Sequence, residues 1–158
     1  MATTTTIKLL LAGDEAVLQS VAPDVFDDPI DPAATAKFLT DPNHHLAVAI
    51  DDGVIIGFVS AVQYFHPDKP TPELWINEVG VARSHRGQGV ARRLMEAVLN
   101  VAREQGCTVA WVLTNRSNNA AMHLYARAGG VAAPDPDTVM FEFFLEQSPY
   151  ENNSQKHA

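Results

Sequence analysis

Apolar and polar positions along the chain change period several times, and each change predicts an element. "TIKLLL", from Thr6, reads as a first strand. "GDEAVLQSVAPDVF" reads as a short helix that stops near Pro23. Asp31-Pro32 supplies an N-cap and a first-turn proline, so a second helix should cover Ala33 to Leu39. "HHLAVAI", "DDG" and "VIIGFVSAVQYF" form the pattern of two strands around an Asp-Gly turn. After the loop "HPDKPTP", "ELWINEVGV" is a further strand. From Gly89 to Gln105 the period becomes helical, with Val90, Leu94, Val98 and Val101 on one face and Gly106 as the stop. "TVAWVLT" is a strand, Asn118 to Ala128 an amphipathic helix closed by Gly129-Gly130, and "TVMFEFFLE" a last strand. Strands and helices mix without strict alternation. The expected fold class is therefore α/β in the α+β sense, a mixed and mostly antiparallel sheet flanked by helices.

The 158 residues fit one domain with one core, assigned to 1–147, and the polar stretch 148–158 reads as a flexible tail. No apolar run reaches the ~18 residues of a membrane span, and the N-terminus lacks the pattern of a signal peptide. A single cysteine, Cys107, cannot make an internal disulfide and reads as a small buried hydrophobe. These features point to a cytoplasmic protein. No histidine or cysteine spacing suits a metal: His44 and His45 should point to opposite faces of one strand. His66 falls in a loop that could border an acceptor site.

Net charge is −8, but it is unevenly placed. Met1 to Ala82 carries 12 acidic and 3 basic residues, while all seven arginines lie between Arg83 and Arg127. Nucleic acid would be repelled by most of this chain. A small anion could be held at the basic segment, and a cationic partner drawn to the acidic remainder.

The arginines gather around "RSHRGQGVARRLMEAVL". Gly87 and Gly89 separate the end of a strand from the first turn of a helix, where backbone N–H groups are unpaired and carry partial positive charge. Glycine lets those amides approach a ligand without a Cβ between them. The loop is either an anion site suited to phosphate, with Arg86, Arg92 and Arg93 around it, or a plain tight turn with solvated arginines. The Walker and dinucleotide-binding glycine patterns are both absent.

With Arg86, Gly89 and Ala91 in the pattern [RQ]-x-x-G-x-[GA], this stretch resembles the acyl-CoA motif of the GNAT superfamily of N-acetyltransferases. "NNAAMHLYARAGG" resembles the family's second signature through Asn118, Ala121, Leu124, Tyr125 and Gly129; Gly130 departs from it. The resemblance implies a GNAT-like acyl-CoA N-acyltransferase fold and acetyl-CoA as donor. It places the pyrophosphate on the amides of Arg86, Gly87, Gln88, Gly89, Val90 and Ala91, and the pantetheine along Val79, Gly80 and Val81. Asn118, Ala121 and Tyr125 would complete the cofactor site. The family often carries a bulge near the position of Asn77-Glu78. It implies Tyr125 as the acid that protonates the leaving thiolate; taken alone, Tyr125 reads as a core aromatic with a hydrogen-bonded hydroxyl.

Glu78 is the candidate base, because the strand "WINEVGV" should line the cofactor and partial burial there would favour proton uptake. Alternation puts Ile76 and Glu78 on one face and Asn77 and Val79 on the other unless a bulge intervenes. Glu78 could otherwise be a plain solvent-facing carboxylate. Asp27, Asp28, Glu78, Asp137 and Glu142 form the candidate acceptor lining, which suits a cationic small-molecule amine. "DVFDD", "HPDKPTPELWINEVGV" and "VMFEFFLE" are similar to the aminoglycoside 3-N-acetyltransferase branch. A polyamine, another small amine, a protein amine, or a non-catalytic CoA-binding sensor are the alternatives. The family habit and the apolar last strand suggest a homodimer.

Overall fold

The computed structural model describes residues 4–135, 137, 139–143 and 145. Five strands form one sheet in the order β1-β2-β3-β4-β5. They are β1 (Thr6–Leu10), β2 (His44–Asp51), β3 (Val54–Tyr64), β4 (Glu73–Val81) and β5 (Val109–Val112). The first four pair antiparallel; β5 joins β4 in parallel. Three helices accompany them: α1 (Pro32–Thr40), α2 (Val90–Glu104) and α3 (Asn119–Arg127). The mixed, mostly antiparallel sheet agrees with the sequence.

Local chemistry sets most boundaries. The β2–β3 hairpin turns at Asp52 and Gly53, with φ of 48° and 77°. Two successive positive φ values match the right-handed twist of the flanking strands. Asp31 caps α1 by accepting from the Ala34 amide at 2.8 Å, and Pro32 opens the helix. Gly106, at φ 77°, follows the end of α2.

The core lies between the sheet and α2, which crosses β1 to β4 and buries Leu94 and Val98 completely. In β3 every residue from Ile55 to Ala61 is buried, so both faces of the sheet are covered there. Gly57 faces α2, since a Cβ built on it would lie 3.2 Å from Leu94. Its neighbour Phe58 points the other way and stacks on Phe26 at 3.9 Å between ring centroids. The second layer therefore holds α1 and the segment before it.

Two expectations change. The first helix shrinks to a single 3-10 turn, Glu15–Gln19. Beyond it, the Ser20 carbonyl accepts from the Ile55 amide at 2.8 Å and the Ala22 amide donates to the Ile55 carbonyl at 2.9 Å, so the sheet captures the chain. The expected last strand lies partly outside the described residues; its described residues, 139–143 and 145, carry no strand pairing, and Val139, Met140, Phe141, Phe143 and Leu145 are exposed. A run of β-formers is a strand only when a partner accepts its ladder of hydrogen bonds. The expected tail 148–158 lies outside the described residues.

Candidate active site

The site is organised by one irregularity in β4. Ser60 of β3 pairs with Glu78, but the next residue, Ala61, pairs with Ile76. Asn77 is therefore an extra residue, a bulge. An uninterrupted strand would put Ile76 and Glu78 on one face. Instead Ile76 lines a cavity on the α2–α3 side, whereas Asn77 and Glu78 line a cavity on the α1 side. The bulge makes Glu78 an active-site candidate by reversing its face.

The α1-side cavity has a volume of about 390 Å³. Its apolar walls include Phe26, Phe38 and Phe58; its carboxylates are Asp27, Asp28, Asp31 and Glu78. Among the described residues, Asp27, Asp28 and Glu78 have no cationic or hydrogen-bonding partner. Three uncompensated carboxylates around an aromatic pocket favour a cation with an apolar or ring-shaped body. Glu78 is exposed, so the partial burial expected of it is absent. A solvated carboxylate can still take a proton if the acceptor reaches it.

Asp137 and Glu142 are not brought to this cavity; both are exposed, and the Asp137 amide donates to Asp135 at 2.9 Å. His66 is also elsewhere. It sits 3.6 Å from Glu73, which accepts from the Tyr64 hydroxyl at 2.6 Å and has Lys69 at 3.5 Å. The Tyr64 hydrogen bond is the main cause holding the Glu73 carboxyl below its usual range.

The other half of the site lies where β4 loses a neighbour. β5 pairs only with Glu73 to Ile76, so no strand pairs with Asn77 to Val81 on that side, where only the Val81 carbonyl is capped, by Arg86. Val79, Gly80 and Val81 are half-buried on this edge. Gly80 is required by packing: a Cβ there would lie 2.5 Å from the Val25 carbonyl oxygen and 2.7 Å from the Phe58 ring. The chain then turns through Arg83–His85 into the glycine loop, where Gly87 and Gly89 have φ of 73° and 77°. Space beside both glycines is open to 4 Å. Among the described residues, no backbone or side-chain acceptor bonds the amides from Gly87 to Arg92; the ladder of α2 starts with Arg93 donating to Gly89 at 3.2 Å. Gln88, Gly89, Val90 and Ala91 thus present free donors at a helix start. Arg86 donates to the Val81 carbonyl at 3.1 Å and Arg93 to the Thr5 carbonyl at 3.0 Å, which fixes two of the three nearby guanidiniums.

Tyr125 lines the α2–α3 cavity with Ile76 and Cys107. Burial raises its phenol above the ordinary value, so it keeps its proton at neutral pH. Asn118 is an N-cap: its side chain accepts from the Ala121 amide at 3.1 Å. The second motif thereby starts α3 and sets the direction in which Tyr125 projects. Cys107 is half-buried, and burial raises its thiol, which makes it a poor nucleophile. Sequence reasoning missed Phe26, Phe38, Phe58 and Ser60 as cavity residues. Only the period-2 spacing of Phe58 and Ser60 hinted that they share a face.

A free strand edge leading to a cradle of unbonded amides fits an acyl-CoA, with its pantetheine amides on the edge and its phosphates in the cradle. Comparison with known proteins agrees. The family model "Acetyltransferase (GNAT) family" matches residues 15–130, and the chain belongs to that family. Its members take an acetyl group from acetyl-CoA. N-acetyltransferase 8 of Rattus norvegicus is 34% identical over 95 residues, 60% of this chain and 43% of that protein. N-alpha-acetyltransferase RimI of Mycobacterium tuberculosis is 30% identical over 105 residues, 66% of this chain and 63% of that one. The chain thus spans less than two-thirds of the length of these curated relatives. Among solved structures, aminoglycoside N-acetyltransferase AAC(6')-Iy in complex with CoA superposes with a TM-score of 0.70 at 22% identity, covering 92% of this chain and 97% of that one. It shares the fold.

Proposed function

We propose that this chain transfers an acetyl group from acetyl-CoA to a primary amine of a cationic small molecule, an aminoglycoside being the best-matched class. The observation that carries the reading is the bulge at Asn77. It turns Glu78 into a cavity that also holds Asp27 and Asp28, beside the free edge of β4. Bound acetyl-CoA supplies the acetyl group as a thioester. Val79, Gly80 and Val81 orient it through their edge, and Gly87 to Ala91 hold its phosphates. Glu78 removes a proton from the acceptor ammonium, which cannot attack while protonated. Tyr125 returns a proton to the leaving sulfur. Asp27, Asp28 and Asp31 hold further ammonium groups of the acceptor. The volume of about 390 Å³ lies in the range of small-molecule sites.

Resemblance points to the 3-N amine of an aminoglycoside, whereas the solved relative carries a 6' designation. Thiol release from acetyl-CoA should be measured with aminoglycosides, polyamines, simple monoamines and peptides, and the product regiochemistry read by NMR. The reading expects turnover with aminoglycosides and an acceptor KM that rises with salt at saturating donor, because exposed charges are screened over ~8–10 Å. Preference for a peptide N-terminus would move the acceptor to the class named by RimI. Acetyl-CoA binding without turnover on the whole panel would leave a CoA sensor. Tyr125→Phe should lower kcat by roughly 10²-fold with little change in the KM for acetyl-CoA; full kcat would return Tyr125 to a packing role.

A further inference from the structure

Ser60 sits in β3 directly across from Glu78 and lines the same cavity. It is 7% exposed, and its Oγ is sealed from solvent with no hydrogen-bond partner among the described residues. A buried hydroxyl of this kind is unusual, because leaving water without a partner is costly. Its cross-strand neighbour on β2 is the apolar Leu46, and Phe26 and Phe58 are among the walls of the cavity it lines. The cross-strand residue is the carboxylate already assigned as base. Directly opposed strand residues have Cβ atoms about 4.5–5.5 Å apart, within reach of a serine and a glutamate side chain.

From this pairing we infer that Ser60 is a catalytic residue that relays the acceptor's proton to Glu78; the inference rests on the acetyltransferase reading above. A serine hydroxyl has one hydrogen to donate and two lone pairs to accept. With the acceptor bound, Ser60 turns about χ1 so that Oγ, covered in the empty cavity, meets the ligand: the acceptor ammonium donates to Oγ while Oγ–H donates to a Glu78 carboxylate oxygen. As the amine gives its proton to Oγ, Oγ passes its own proton to Glu78. The amine ends neutral with a free lone pair, Ser60 ends unchanged, and Glu78 ends protonated. The relay lets an exposed carboxylate act on an amine drawn into an apolar pocket. It also accounts for a polar side chain kept where an apolar one would pack better.

The test compares Ser60→Ala, Ser60→Cys, Glu78→Gln and the double variant Ser60→Ala/Glu78→Gln with the wild type, at saturating acetyl-CoA. Ser60→Ala should lower kcat by roughly 10-fold or more with the KM for acetyl-CoA unchanged. It should also melt at the same or a higher temperature, because it deletes an unsatisfied hydroxyl. Ser60→Cys, with a weaker donor, should fall between it and the wild type. The double variant should be no slower than Glu78→Gln alone, as members of one relay are not additive. Wild-type kcat in Ser60→Ala, or losses that multiply in the double variant, would overturn the relay and leave the acetyltransferase reading standing. A rate loss that only follows a lowered melting temperature would reduce Ser60 to a structural role and also overturn it. A wild type that turns over no amine in the panel would overturn both.

Discussion

The two ends of β4 are built by the same strand for different ends. From Glu73 to Ile76 the strand is paired on both sides, with β3 and β5, and Leu74 and Ile76 are buried to 0% and 2% exposure. From Glu78 to Val81 it is paired on one side only; Asn77 and Glu78 are exposed and the other three are half-buried. The bulge divides the two. Before it, side-chain alternation serves packing. After it, the faces are exchanged, one edge is free, and the strand can take a ligand along its backbone. The difference shows how a rigid scaffold can carry a reactive segment: the ladder with β3 continues through both halves, so the free half is held in place without being buried.

Substitutions in each half should separate these roles. The largest effect on stability belongs to the first half. Leu74→Ala should cost about 2–5 kcal/mol of unfolding free energy, measured by denaturant melts, because it leaves a cavity in a fully buried position. A loss under 1 kcal/mol would remove the scaffold role of that end. Gly80→Ala should cost less, about 1–3 kcal/mol, since the added methyl must displace the Val25 backbone or the Phe58 ring. Phe58 lines the cavity proposed for the acceptor, so the same variant should raise the acceptor KM; unaltered stability and KM together would contradict the packing described around Gly80. The smallest change in stability is expected at Glu78, where Glu78→Gln should stay within about 0.5 kcal/mol of the wild type, as an exposed residue without a partner has little to lose on folding.

Much of the scaffold was legible in the sequence, for identifiable reasons. The hairpin was announced by Asp52-Gly53, α1 by Asp31-Pro32, and α2 by the spacing of Val90, Leu94, Val98 and Val101, all of which are local signals. The glycine loop was equally legible, because Gly87 and Gly89 are needed for their positive φ and not for any distant contact. What the residues alone did not show depends on pairing. Alternation predicted Ile76 and Glu78 on one face; only the register against Ser60 and Ala61 reveals the extra residue at Asn77, a possibility the family resemblance raised. The 3-10 turn at Glu15–Gln19 ends early because Ser20 and Ala22 are claimed by Ile55, and nothing in "AVLQSVA" signals that claim. Residues 139–143 and 145 have strand composition, yet among the described residues no strand pairs with them. Asp137 and Glu142 were grouped with Asp27 and Asp28 by charge, but charge does not specify distance along a fold.

The central claim is that the bulge delivers Glu78 to the acceptor cavity as the base of the reaction. The most direct test is kcat of Glu78→Gln at saturating acetyl-CoA and acceptor, in a variant shown by its melt to be folded. Glutamine keeps the size and can still hydrogen bond, but it cannot take a proton at neutral pH. The account predicts a fall in kcat of roughly 10²-fold or more with the KM for acetyl-CoA unchanged. A Glu78→Gln protein with wild-type kcat would contradict it, and the exchange of faces at Asn77 would then have no part in the chemistry.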